Sequence, residues 1–162
     1  MIDPLLLDSL VAFITEAVKG YIVEDENNVQ WPVTVVKGFL PPKRTETVED
    51  YEKNCIVIRY DNGEADWNAG EDQAKATNRV IIAVRTWSNS EQLGPANTIA
   101  LMAMIQRLIY QRPILDRKYR ATFPIKWTAP TGHTLPIWQG EMTISYLVPM
   151  VQELFIGGMY NE

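Results

Sequence analysis

The chain has 162 residues, 46% hydrophobic and 22% charged, with a formal net charge of −5. That length and balance suit a single domain, residues 1–162, with a core of its own. An acidic balance excludes broad phosphate neutralisation of bare nucleic acid, which needs clustered Lys and Arg, and leaves only a small basic patch around Arg107, Arg112, Arg117, Lys118 and Arg120.

MIDPLLLDSLVAFITEAVKG reads as an amphipathic helix. Asp3 is placed to cap it, Pro4 suits its first turn and Gly20 its end. Asp8, Glu16 and Lys19 interrupt the apolar run, so it is neither a secretory leader nor a membrane span. EDENN (24–28) is a turn. WPVTVVKGFL (31–40) is rich in β-branched and aromatic residues and reads as a strand or hairpin arm, beginning at an edge or a strand start because Pro32 cannot donate to a ladder. PPKRTETVEDYEKN (41–54) is a charged loop with a short helical turn at TVEDYEK.

CIVIRY (55–60) and RVIIAVRTW (79–87) are apolar on both parities, as expected of strands covered on both faces. Between them DNGEADWNAGEDQAKATN (61–78) reads as a long acidic loop. The segment from Ser88 to Pro113 holds a helix of about four turns, with Leu101, Ile105, Leu108 and Ile109 on its apolar stripe. YRATFPIKW (119–127) alternates, placing Tyr119, Ala121, Phe123, Ile125 and Trp127 on one face, with an irregularity at Pro124. TAPTGHTLP turns into LPIWQGEMTISYLVP (135–149). There Trp138, Gly140, Met142, Ile144, Tyr146 and Val148 alternate with Gln139, Glu141, Thr143 and Ser145. The order of elements predicts an α+β sandwich: a largely antiparallel sheet of about five strands, two helices on one face, and a long C-terminal hairpin whose second face meets water or a neighbouring subunit.

Chemistry is hard to find. Cys55, the single cysteine, sits in an apolar run and reads as buried and inert. His133, the single histidine, lies in the turn TGHT without a nucleophile or metal partner at useful spacing. Glycine-rich phosphate cradles are absent, and Asp61, Glu64, Asp66, Glu71 and Asp72 lack the rhythm of a calcium loop. No enzyme, metal site or cofactor is expected. Trp127 and Trp138 fit the buried face of the hairpin. Trp67 stands in a polar stretch, where the ring either folds back on its own domain or anchors a partner.

The run VIIAVRTW, a Ser/Asn turn, the helix-to-strand passage LMAMIQRLIYQRPILDRKYRATFPIKW and the final PIWQGEMTISYLVP together resemble the tail terminators of long-tailed bacteriophages. That group overlaps with tail completion and head–tail joining proteins. The resemblance is strongest over residues 79–149, where Pro136, Trp138, Gly140 and Pro149 match the pattern of the last strand, and looser over the first helix. It is a pattern of elements and carries no catalytic motif.

The resemblance implies a structural protein of the virion, at the tail–neck junction, assembled in the host cytoplasm. Its partners would be its own copies in a hexameric ring, the tail tube protein, a neck or head-completion protein, and the sheath protein of a contractile tail. DNA would pass through the ring without sequence-specific binding, and no membrane is involved. Trp67, Gln139, Glu141, Thr143 and Ser145 are the expected contact residues. Asp61, Glu64, Asp66, Glu71 and Asp72 are expected to face the lumen, where negative charge would keep DNA from sticking. Two alternatives stay open: a head-completion or stopper protein of the neck, and a small cellular α/β module binding a ligand or peptide.

Overall fold

The computed structural model describes residues 2–40, 53–66, 75–131 and 135–149. In chain order the elements are α1 (Leu6–Val18), β1 (Ile22–Glu24), β2 (Gln30–Pro32), β3 (Thr34–Lys37), β4 (Cys55–Asp66), β5 (Lys75–Trp87), α2 (Leu93–Gln111), β6 (Ile114–Leu115), β7 (Tyr119–Thr128) and β8 (Ile137–Val148). The fold is α+β, with a six-stranded sheet in the order β3-β4-β5-β8-β7-β6 and a separate β1-β2 hairpin. The sheet thus gains a strand over expectation, because the short β6 turns back against β7. It is antiparallel except at β3–β4, which run parallel from Thr34↔Cys55 to Lys37↔Ile58.

Both helices lie on one face. Leu6, Leu10 and Ile14 of α1 and Leu101, Ile105 and Ile109 of α2 are buried against Ile56, Ile58, Val80, Ile82, Met142 and Ile144. Each such side chain withdrawn from water contributes about 1.5–3 kcal/mol. α1 starts two residues later than its sequence signals imply, at Leu6. Asp3 still serves an early amide, since its Oδ1 accepts from Leu5 N at 2.9 Å. The same residue is pinned to the sheet: its amide donates to Asn78 Oδ1 at 2.8 Å, and the hydroxyls of Tyr60 and Tyr119 donate to its carbonyl and carboxylate. Burial, with the Asp3 charge adding to it, pushes the Tyr119 hydroxyl up to about 12. Gly20, at φ +78°, turns the chain out of the helix as expected.

The turn at 24–28 is the tip of the β1-β2 hairpin, whose second arm begins the stretch expected as a strand or hairpin arm and whose first arm, Ile22–Glu24, was too short to read. Asp25 organises it: Oδ1 accepts from the amides of Asn27 (2.8 Å) and Val29 (3.0 Å), and Oδ2 from Trp31 Nε1 (3.0 Å). The Trp31 hydrogen bond is the main reason its carboxyl lies below the ordinary 3.8. Glu26 ties the hairpin to the start of α2 by accepting from Ser88 Oγ and the Asn89 amide, and Ser90 Oγ accepts from the first helical amide, Leu93 N.

Two expectations change. Residues 61–66 and 75–78 are strand rather than loop: after an irregularity at Tyr60/Asn62 the ladder resumes at Asn62↔Arg79 and runs to Asp66↔Lys75. The acidic composition hid this, because exposed β positions tolerate charge when the partner strand supplies the backbone bonds. Second, β7 does not keep its alternation. Its register slips between Thr122 and Lys126, leaving Ile125 buried while Phe123 and Trp127 are 46% and 56% exposed. A bulge at Pro124 re-aims the side chains around it. Trp127 lies beside the buried Met142 in register but at the margin of the sheet, so it is not the core residue its spacing implied. The proposed helical turn at TVEDYEK falls mostly outside the described residues, as do Trp67, Glu71, Asp72 and His133.

Candidate functional site

β8 separates two environments. On its inner face Trp138, Met142, Ile144, Tyr146 and Val148 are buried, as their alternation predicts. The three matched positions at its start are held by packing. Trp138 Nε1 donates to Ser88 O at 2.9 Å, and its ring lies so close to Gly94 of α2 that a Cβ there would stand 2.1 Å from Nε1. Gly140 admits Met102, whose sulfur would be 2.4 Å from an added Cβ. The carbonyl of Pro136 accepts from Ser88 N at 2.8 Å. These residues serve the fold.

The outer face is different. Gln139, Glu141, Thr143 and Ser145 all lie there, exposed or half-buried, so the four are brought together as expected. Register places Arg85, Ala83, Ile81 and Arg79 of β5 opposite them in turn, and Arg59 of β4 beyond Ile81. The result is a polar ladder across three strands. Arg85 donates to Gln139 Oε1 at 3.1 Å, Gln139 Nε2 to Glu141 Oε1 at 3.4 Å, and Arg59 pairs with the same Oε1 at 3.5 Å. Arg79 donates to Thr143 Oγ1 at 3.4 Å and pairs with Asp61 at 3.5 Å. Contacts this long and this wet contribute about 0–1 kcal/mol each. Their effect is to tether the guanidinium groups to this face with donors left over.

Among the described residues, Arg59, Arg79, Arg85, Arg120 and Lys126 outnumber Glu141, Asp61 and Glu64 on this face, although the chain as a whole is acidic. Sequence reasoning missed the three arginines because it classed their strands as apolar on both parities. The signal was present: Arg79 and Arg85 share a parity with Ile81 and Ala83, and Arg59 shares one with Cys55 and Val57. At the Cys55 end the same face is closed by a small cluster of Cys55, Val57 and Ala83 with Val36 and Leu40. Cys55 is fully buried there.

At the β7 bulge the outer face opens into a cleft of about 240 Å³, lined by Arg79, Thr122, Phe123, Pro124, Lys126, Thr143, Ile144 and Ser145. Thr122 Oγ1 donates to Ser145 O at 2.8 Å, tying its floor across the strands. Phe123 stacks on Tyr110 of α2 with ring centroids 4.5 Å apart, so an aromatic rim borders the cleft. Of the expected acidic group, Asp61, Glu64 and Asp66 stand on β4. Among the described residues no group of three or more His, Cys, Asp or Glu could hold a metal ion, and no helix is long and apolar enough to cross a membrane.

No protein-family model and no curated protein matches the chain. Among solved structures, the chain is similar to one from the virion of a native gene transfer agent (GTA) particle, at 12% identity, covering 88% of this chain and 93% of that one, with a TM-score of 0.48. It is also similar to a solved chain that carries no functional name, at 14% identity, covering 93% of this chain and 97% of that one, with a TM-score of 0.56. At 14% identity the second likeness speaks to the fold alone.

Proposed function

We propose that this chain is a non-enzymatic virion protein of a long-tailed phage or phage-like particle: a tail terminator that forms a ring at the head-proximal end of the tail tube. The ring ends tube polymerisation and joins the tail to the neck. The observation that carries this reading is the division of β8, whose inner face is given to the core while its outer face bears an arginine ladder on the side of the sheet away from α1 and α2. A ring of identical subunits needs one surface to meet a different surface on the next copy. A sheet with one polar face on which, among the described residues, no helix packs suits that requirement, since subunit surfaces need be no more apolar than the rest of a protein. The resemblance to tail terminators over residues 79–149 supports this choice of assembly. Its partners are then further copies, the tail tube protein and a neck protein, with the sheath protein added in a contractile tail, and DNA passes through without being read.

Electron microscopy of a lysate in which this gene alone is disrupted tests the proposal. Filled heads beside unattached tails of uncontrolled length are expected. Tails of normal length beside filled heads would move the protein to a stopper or head-completion role, and intact infectious particles would leave a cellular binding module.

A further inference from the structure

We infer that copies of this chain join head to tail by strand pairing at the two edges of the sheet, with the open edge of β7 and its cleft receiving the acidic end of β4 from a second copy. This rests on the ring reading above and names the surfaces it uses.

The strand order leaves two open edges. β6 pairs with β7 only at Tyr119 and Arg120, and β3 pairs with β4 only from Cys55 to Ile58. Among the described residues, Thr122 and Lys126–Thr128 of β7 therefore pair with β8 alone, past the bulge at Pro124, and 59–66 of β4, apart from Asp61 in its bulge, pair with β5 alone. A row of unpaired N–H and C=O groups is a template for another strand. The two rows lie on opposite edges of the same sheet. Pairing them between copies is heterologous and leaves one edge of each kind free, so the contact repeats until the ring closes.

The charges select the partner. The β4 segment carries Asp61 and Glu64, and Glu64 is exposed with no ion pair among the described residues. The β7 edge carries Lys126, likewise exposed and without an ion pair among the described residues, beside Arg79 in the cleft. Thr143, whose Oγ1 accepts from Arg79, brings a hydroxyl proton to the same cleft, which suits a carboxylate. A bulge and a lysine on an edge strand discourage indiscriminate pairing, and a strand bearing carboxylates is the partner they admit. The exposed rings of Phe123 and Trp127 flank the edge and would be covered by the contact, as aromatic anchors of interfaces are. Glu64 then stands at the contact between copies instead of in the lumen.

The test uses the full-length chain with two exposed charge reversals, Lys126→Glu and Glu64→Lys. Sedimentation velocity up to millimolar concentration, with electron microscopy of tail-tube ends, reads the ring. Each single reversal is expected to weaken ring formation by about tenfold or more while leaving the thermal melt unchanged. An equimolar mixture of the two variants is expected to restore rings. In alternating order, the carboxylate introduced into β7 of one variant meets the ammonium introduced into β4 of the other, and the remaining contact is native. Rings unmoved by either reversal, or lost in both and not restored by mixing, would overturn the inference while the ring reading stands. A wild-type chain that is monomeric in solution and at tube ends would remove both.

Discussion

The two faces of β8 are built from alternate residues of one strand, yet they answer to different demands. Inward, Trp138, Met142, Ile144 and Tyr146 are at most 3% exposed and sit in contact with both helices or the strands beneath them. Outward, Glu141, Thr143 and Ser145 are half-buried, and the side chains of Glu141 and Thr143 are bonded to polar groups of the same face at 3.4–3.5 Å. Burial on the inner face makes every methylene count toward stability. On the outer face, water competes for each contact, so substitutions there should be felt in assembly before they are felt in folding.

The largest effect that would break this contrast comes from the centre of the inner face. Ile144→Ala is expected to lower unfolding free energy by about 2–5 kcal/mol, read by urea denaturation. A loss below about 1 kcal/mol would mean that the helices do not bear on β8 as described. Gly94→Ala comes next, at about 1–3 kcal/mol, because the added methyl meets the Trp138 ring and neither ring nor helix backbone can give way freely. The paired change Gly94→Ala with Trp138→Leu should recover part of the loss, which would trace it to that contact.

Asp25 extends the comparison to a charged group bonded on both oxygens. Asp25→Asn is expected to cost about 1–3 kcal/mol at neutral pH. Its carboxyl titrates below 3.8 when folded, so its contribution is complete above about pH 3.8 and is lost as pH falls through the lower folded value. The wild-type chain should therefore lose stability more steeply than the variant on acidification below that value. Parallel acid limbs in a denaturation series would contradict the assignment.

Tyr146 sharpens the inner-face account in the opposite direction. Its hydroxyl is buried without a hydrogen-bond partner among the described residues, and burial raises its pKa. Tyr146→Phe is expected to be neutral or to stabilise by up to about 1 kcal/mol. A clear destabilisation in the same urea series would mean that the hydroxyl has a partner. Smallest of all, Gln139→Ala and Thr143→Ala on the outer face should stay within about 0.5 kcal/mol of wild type. If either matched Ile144→Ala in its effect on folding, the division of the strand would be wrong.

The inner face was legible because its period is simple: from Trp138 to Val148, β8 alternates without interruption, and a half-buried strand has no cheaper way to place apolar side chains. The helix of Leu101, Ile105 and Ile109 was legible for the corresponding reason at its own period. The first arm of the β1-β2 hairpin was not, since three residues carry too little pattern to outweigh a polar turn. Nor was the end of β4, where DNGEAD spells a loop by composition and becomes a strand only because 75–79 of β5 lies beside it. Trp127 shows the same limit, since strict alternation cannot foresee a bulge that opens a cleft and shifts the register.

The sequence by itself determined the two helices with their inward stripes, the middles of β4 and β5 and the polarity of the last strand, because these depend on neighbours a few residues away along the chain. Only the tertiary structure decided that Arg59, Arg79 and Arg85 would converge on Gln139, Glu141 and Thr143, and that an acidic edge and a basic edge would close the two sides of one sheet. Those arrangements depend on strand order and register, which are set when the strands share one core and not by any local run of residues.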